Sequence, residues 1–147
     1  MRSRIGRSRH GARRGQALVE TALALPLILL VLLGIVDFGR AVYAYNTMSN
    51  AAREAARIAI VDPDVDRIAA VAAGHAVGLD VTVDVAFHKP QPNADPSTNE
   101  ACSPVKIGCI AIVTVDSTYV AATPIIGALV GEIELRGKTE MPVENAP

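Results

Sequence analysis

Glu20 and Gly15 are the residues whose types and spacing carry the most chemistry in this chain. Glu20 is the one charged residue in a run that is otherwise uncharged from Ala17 to Val36. A carboxylate at the centre of a membrane-length helix costs about 2.5 to 3.5 kcal/mol, and less near its end. A cut after Gly15 would free a cationic amine at Gln16, four residues before Glu20 and therefore one helical turn away. Such an amine would offset the cost of the acid. The plainer alternative is that Glu20 sits at the headgroup level and reaches water there.

Other chemistry-bearing residues are sparse. Cys102 and Cys109 flank a short loop containing Pro104 and Gly108, which lets the loop turn back. In an exported domain the pair would close a disulfide contributing about 2 kcal/mol. A zinc half-site is the competing reading, and no second Cys or His pair accompanies it. Asp62, Asp64 and Asp66 alternate as in a small calcium loop but lack the glycine and closing glutamate of an EF-hand, so helix capping is the better reading. His75 and His88 have no neighbouring ligand spacing and read as structural or solvated. No Ser/His/Asp set, Gly-rich phosphate loop or paired-carboxylate site stands out. The expectation is a protein that is not an enzyme and takes no cofactor.

The charge pattern says where the elements lie. Arg2, Arg4, Arg7, Arg9, Arg13 and Arg14 precede the apolar run with no acid among them, while the remaining residues carry a net charge of −7. A basic head, an apolar span and an acidic body orient a single-pass protein with the arginines in the cytoplasm and the body exported. Nucleic-acid binding is the competing use of six arginines; they abut a membrane span and have no interleaved aromatics, so it is set aside. A secretory signal cut after Val42-Tyr43-Ala44 is a further alternative, disfavoured by the length of the apolar run and by Asp37 and Arg40. The segments are thus a basic leader (1–15), a transmembrane segment (16–37) and an extracytoplasmic head with a helical stalk (38–147).

Pro26 should kink the spanning helix or leave a carbonyl free. The helical pattern continues beyond the span. Ala41, Ala44, Met48, Ala51, Ala52, Ala55 and Ala59 recur at three- and four-residue steps, a small-residue seam for the protein's own sheet or for another subunit's helix. Asp62-Pro63 ends the helix near Val61. Asp64 starts a second helix with a face of Ile68, Val71, Ala72, His75 and Leu79, closed by Gly78. Period-two alternation marks strands at 81–88, within 107–120 and at 132–141. Residues 89–104 read as an irregular loop. The apolar connector 123–131 reads as a buried β-crossover rather than an exposed docking surface. The fold class is α+β: a long N-terminal transmembrane helix continuing into a second helix packed on a three-stranded antiparallel sheet.

The run from Gly15 through Glu20 to Pro26, followed by Gly34-Ile35-Val36-Asp37-Phe38-Gly39-Arg40 and Ala51-Ala52-Arg53-Glu54-Ala55-Ala56-Arg57, resembles the N-terminus of TadE-like proteins. These are pseudopilins or minor pilins of the tight-adherence (Tad, Flp) branch of type IV pilus systems. The tail ending in Met141-Pro142-Val143-Glu144 is also similar, more loosely. The resemblance implies a pilin-like fold in the bacterial cytoplasmic membrane or in a pilus. It implies cleavage by a prepilin peptidase between Gly15 and Gln16, with Glu20 fifth in the mature chain and pairing with the new amine of its own or a neighbouring chain. The implied partners are other pilins and pilus-assembly membrane proteins, and the implied role is assembly for adhesion or secretion. Thr21 departs from the tyrosine that major Flp pilins carry after the glutamate, and the chain is much longer than they are. Both departures favour a minor pilin or pseudopilin over the main filament subunit. The alternative is a membrane-anchored extracytoplasmic binding domain unrelated to pili.

Overall fold

One helix carries both the whole apolar run and a large part of the core. The computed structural model describes residues 10–90 and 96–145, with side chains from Gly15 onward apart from Thr98. The arginines of residues 1–9 and the side chains of Arg13 and Arg14 lie outside the described residues. Helix α1 spans His10–Ala59, 50 residues, or about 75 Å at 1.5 Å per residue. It begins inside the stretch read as a leader. The alanine and arginines before Gly15 are good helix formers, so nothing stops the helix from extending there. Pro26 lies within α1 without ending it. Its missing N–H leaves the Ala22 carbonyl without the usual helical donor.

Helix α1 ends where expected. Ile60 and Asp62 donate to the carbonyls of Ala56 and Ile58, closing the last turn, and Pro63 follows. Helix α2 spans Val65–His75, and the Asp64 side chain accepts from the backbone N–H groups of Asp66 and Arg67. Asp62 pairs with Arg67 at 2.6 Å. The three aspartates are thus spent on a helix start, as the capping reading expects. The buried face of α2 is Ile68 and Ala72, extended by Ala76, with Val71 and Leu79 packed beside them. His75, expected on this face, is instead exposed; Ala76 takes the position that its helical phase would have filled. Gly78 adopts φ +79°, the left-handed conformation that turns the chain after the helix.

Strands β1 (Thr82–His88), β2 (Ile110–Val120) and β3 (Glu132–Pro142) form an antiparallel sheet in that order. Val85 faces Val113, and Val113 faces Thr139. The apolar run Ile110–Val113 belongs to the central strand, which explains its lack of alternation. Ala111, Val113 and Val115 point at the helices, and Ile112 is buried on the other face. The loop before β2 holds a short 3-10 turn, Pro96–Thr98, that packs against β1 and β2. Asn99 anchors it, donating to the Lys89 carbonyl and accepting from His88 Nδ1 on its own carbonyl. On β3, Glu132, Glu134, Arg136, Lys138 and Glu140 are exposed and the odd-numbered positions turn inward, as their alternation requires.

The alanine seam is occupied from within. Met48, Ala51, Ala52, Ala55, Ala56 and Ala59 are fully buried, and all of them but Ala51 form one core with Ile68, Ala72, Phe87, Ala111, Val113, Val115 and Val143. Small side chains let α1 lie close to the sheet, and Gly137 marks the closest approach. A Cβ built there would sit 2.8 Å from the backbone carbon of Met48.

Cys102 and Cys109 form a disulfide with Cα atoms 6.2 Å apart, which excludes the zinc reading. The loop is stitched to the sheet. Cys102 donates to the Phe87 carbonyl, and Val143 exchanges backbone hydrogen bonds with Cys109 and Gly108. Replacing both cysteines by serine is expected to lower stability by about 2 kcal/mol, from the lost loop constraint. Urea unfolding of the oxidised protein and the double variant checks this, and coincident curves would refute it.

The connector between β2 and β3 departs from expectation. It forms a short helix, α3, at Pro124–Val130, with no buried residue, not a buried β-crossover. Pro124 at the first helical position and Gly131 at φ +72° after the last one bracket it. Eleven-residue strands on either side already use the sheet's full width, leaving the connector beyond its end.

Candidate functional site

The first part of the site is the exposed apolar length of α1. It is long and apolar enough to cross a membrane, and none of its most apolar window is buried in the protein. One such helix near the N-terminal side fits a single-pass membrane anchor. The side chains from Gly15 to Val36 point outward, apart from half-covered Gly34. Gly15, Gln16, Val19, Glu20 and Leu23 line one shallow depression. The three residues of the cleavage-and-pairing expectation therefore share one helix face. Glu20 makes no hydrogen bond or ion pair among the described residues. Thr21 spends its hydroxyl on the Ala17 carbonyl at 2.9 Å, so it adds nothing to that face. The Gly15–Gln16 peptide lies within α1. Glycine costs about 1 kcal/mol relative to alanine in a helix, which lowers the cost of opening the helix there.

The second part is the junction between span and head, built on Asp37. This residue is 5% exposed although it directly follows the apolar run. Its Oδ1 accepts from the Ala122 N–H and its Oδ2 from the Thr123 N–H, both at 3.0 Å. The Tyr119 hydroxyl donates to the Asp37 carbonyl at 2.7 Å. Arg40 lies 3.7 Å from the Asp37 carboxylate and 5.9 Å from the centre of the Tyr119 ring, close enough for a cation–π contact. The end of β2 and the start of α3 are thus tied to the first turn of the stalk. Sequence reasoning missed this tether. An acid after an apolar run reads as a topology mark, and its partners lie more than 80 positions away.

The head holds the remaining polar features. A groove at one end of the sheet is lined by Asp80, Thr82, Asp116, Ser117, Glu134 and Arg136. Arg136 pairs with Asp116 through Nε at 2.7 Å, and that hydrogen bond raises the guanidinium's already high pKa. Among the described residues no group of three or more His, Cys, Asp or Glu could hold a metal. Cys102 and Cys109 lie in the head, well apart from Glu20 in the chain, and serve the fold. The proposed signal cut after Ala44 falls within α1, where Ala44 is itself buried; such a cut would remove Asp37 and its tether from the head.

No curated protein and no solved structure matches the chain. The model of the TadE-like protein family matches residues 15–57. That stretch begins at the glycine of the Glu20 face, includes Asp37, and ends two residues short of the end of α1. Over residues 15–57, which carry the membrane-length span and most of the core seam, this chain is similar to TadE-like proteins.

Proposed function

We propose that the chain is a minor pilin or pseudopilin that takes part in assembling a Tad-type pilus for surface adhesion or secretion. The observation that carries this reading is the exposed, membrane-length TadE-like helix with Gly15, Gln16 and Glu20 on one face. The basic leader keeps the N-terminal side in the cytoplasm, and the acidic α+β head faces outward. A prepilin peptidase cuts between Gly15 and Gln16. The cut removes the arginines and leaves a cationic amine one turn from Glu20. In a low-dielectric surrounding such a pair stabilises the acid that would otherwise be buried alone. The apolar face of the span then packs on the helices of other pilins or of assembly proteins in the membrane. Nothing in this role requires catalysis or a cofactor.

N-terminal mapping of the membrane-fraction protein, with and without the peptidase, tests the reading. A mature chain starting at Gln16 is expected when the peptidase is present, and an intact Met1 in both strains would overturn the cleavage step. Glu20→Ala is expected to abolish most surface piliation while leaving the head folded; normal piliation would remove Glu20 from the assembly role.

A second reading, a membrane-anchored binding domain unrelated to pili, draws on one observation. The alanine seam is filled by the protein's own sheet, so only the segment before Asp37 is left to pack on other helices. Neighbouring genes for a secretion ATPase and a prepilin peptidase discriminate between the two.

A further inference from the structure

Helix α3 has the wrong composition for a water-facing connector. Residues 121–131 contain no charged residue, and Ile125, Leu129 and Val130 are 58%, 82% and 54% exposed. Its position follows from two contacts with α1. Asp37 holds Ala122 and Thr123 at the level where the apolar run ends. Ile126 Cδ1 then lies 3.6 Å from where a Cβ on Gly34 would be. Gly34 precedes Asp37 by three residues, so the chain from Thr123 to Ile126 descends along α1 by about 4.5 Å towards the span. The exposed apolar face of α3 is therefore continuous with the exposed apolar face of α1.

The aromatic residues agree with this level. Phe38 and Tyr43 are 72% and 65% exposed on the first turns of the stalk, just beyond the apolar run. Amphipathic rings concentrate where hydrocarbon meets headgroups. The first charge after α3 is Glu132, at the start of the returning strand.

We propose that α3 is a second membrane contact: the β2–β3 connector dips its Ile125, Leu129 and Val130 face into the outer leaflet beside the spanning helix. The occupant of this face is the lipid bilayer. The proposal rests on the reading that α1 spans a membrane. With α3 inserted, the head is held against the membrane at two points, the span and the connector, with Asp37 locking one to the other. Gly34 gives Ile126 room to lie against α1.

The chain contains no tryptophan, so a single introduced indole reports its own surroundings. The full chain is reconstituted in phosphatidylcholine vesicles carrying brominated acyl chains at shallow or deep positions. Leu129→Trp reports α3, Leu29→Trp reports the middle of the span, and Ile107→Trp reports the far end of the head. Leu129→Trp is expected to emit at shorter wavelength than Ile107→Trp, to lose intensity to shallow bromines and to resist aqueous acrylamide. Leu29→Trp is expected to be quenched by deep bromines. If Leu129→Trp is quenched by acrylamide and not by lipid while Leu29→Trp meets lipid, the proposal fails and the span stands. Shielding of Leu129→Trp from both quenchers means that protein covers α3, which also overturns it. If Leu29→Trp escapes lipid quenching, the spanning reading fails and takes the proposal with it.

Discussion

Replacing Gly137 by valine is expected to prevent the head from closing on α1. A Cβ at this position would meet the backbone carbon, oxygen and nitrogen of Met48 and Ser49 at 2.8 to 2.9 Å. These are main-chain atoms of a helix and cannot swing aside as a side-chain tip does. Either β3 moves away from α1 or the helix shifts along its whole buried seam. Either movement opens gaps around Met48, Ala52 and Val115, residues that are fully buried in an interior with little free volume. Overpacking costs about 1 to 3 kcal/mol where side chains can adjust, so valine here should cost about 3 kcal/mol or more. Gly39→Ala is the matched control. It lies in α1 with nothing within 4 Å of the added Cβ, and alanine is about 1 kcal/mol better than glycine in a helix. Denaturant unfolding of the full chain in detergent should show a large loss for Gly137→Val and none for Gly39→Ala. A Gly137→Val protein as stable as the parent would show that β3 does not approach α1 this closely.

Asp37→Ala is expected to release the β2–β3 connector from the stalk. The substitution removes the acceptor for the Ala122 and Thr123 amides and the anchor near Arg40. Thr123 is buried, and a buried amide left without a partner loses the full value of its solvation. The Tyr119 hydroxyl bond survives in principle because it goes to the backbone carbonyl, but its neighbours are no longer held. Hydrogen exchange at the amides of residues 121–131 should accelerate by about tenfold or more. Exchange in the Met48–Ala59 seam should change little. Uniform acceleration across the head would mean that Asp37 supports the whole fold rather than the connector, and unchanged exchange would mean that the tether carries nothing.

Much of the architecture was legible because it rests on periodicity. The step of three and four through Ala44, Met48, Ala51 and Ala55 marks one helix face, and the alternation in 81–88 and 132–141 marks strand faces, whatever the rest of the chain does. Asp64 was readable as a cap because capping is local. Two kinds of feature escaped. Gly137 sits in a strand whose alternation is unaffected by it, and its need for space exists only once β3 meets α1. The partners of Asp37 are brought together by the turn of the whole sheet. The connector 123–131 misled for a physical reason: an uninterrupted apolar stretch has the same composition whether it is buried in protein or turned outward beside a membrane-length helix. That Gln16 and Glu20 share a helix face was legible from spacing, because four residues are about one turn of any helix; the cut between Gly15 and Gln16 is what the family resemblance implies.

The unbroken course of α1 has a consequence for orientation. Helix α1 continues without a break from Glu20 through Pro26 to the Met48 seam, so the residue count sets the direction in which the acid points relative to the sheet. The compass bearing of Glu20 around the helix axis and the bearing of the charged face of β3 are set by one count of residues. Inserting or deleting a single residue between them would turn one against the other by about 100° and shift it by about 1.5 Å. The length of the helix therefore encodes an angle: whatever neighbour receives the Glu20 face also determines which way the head looks.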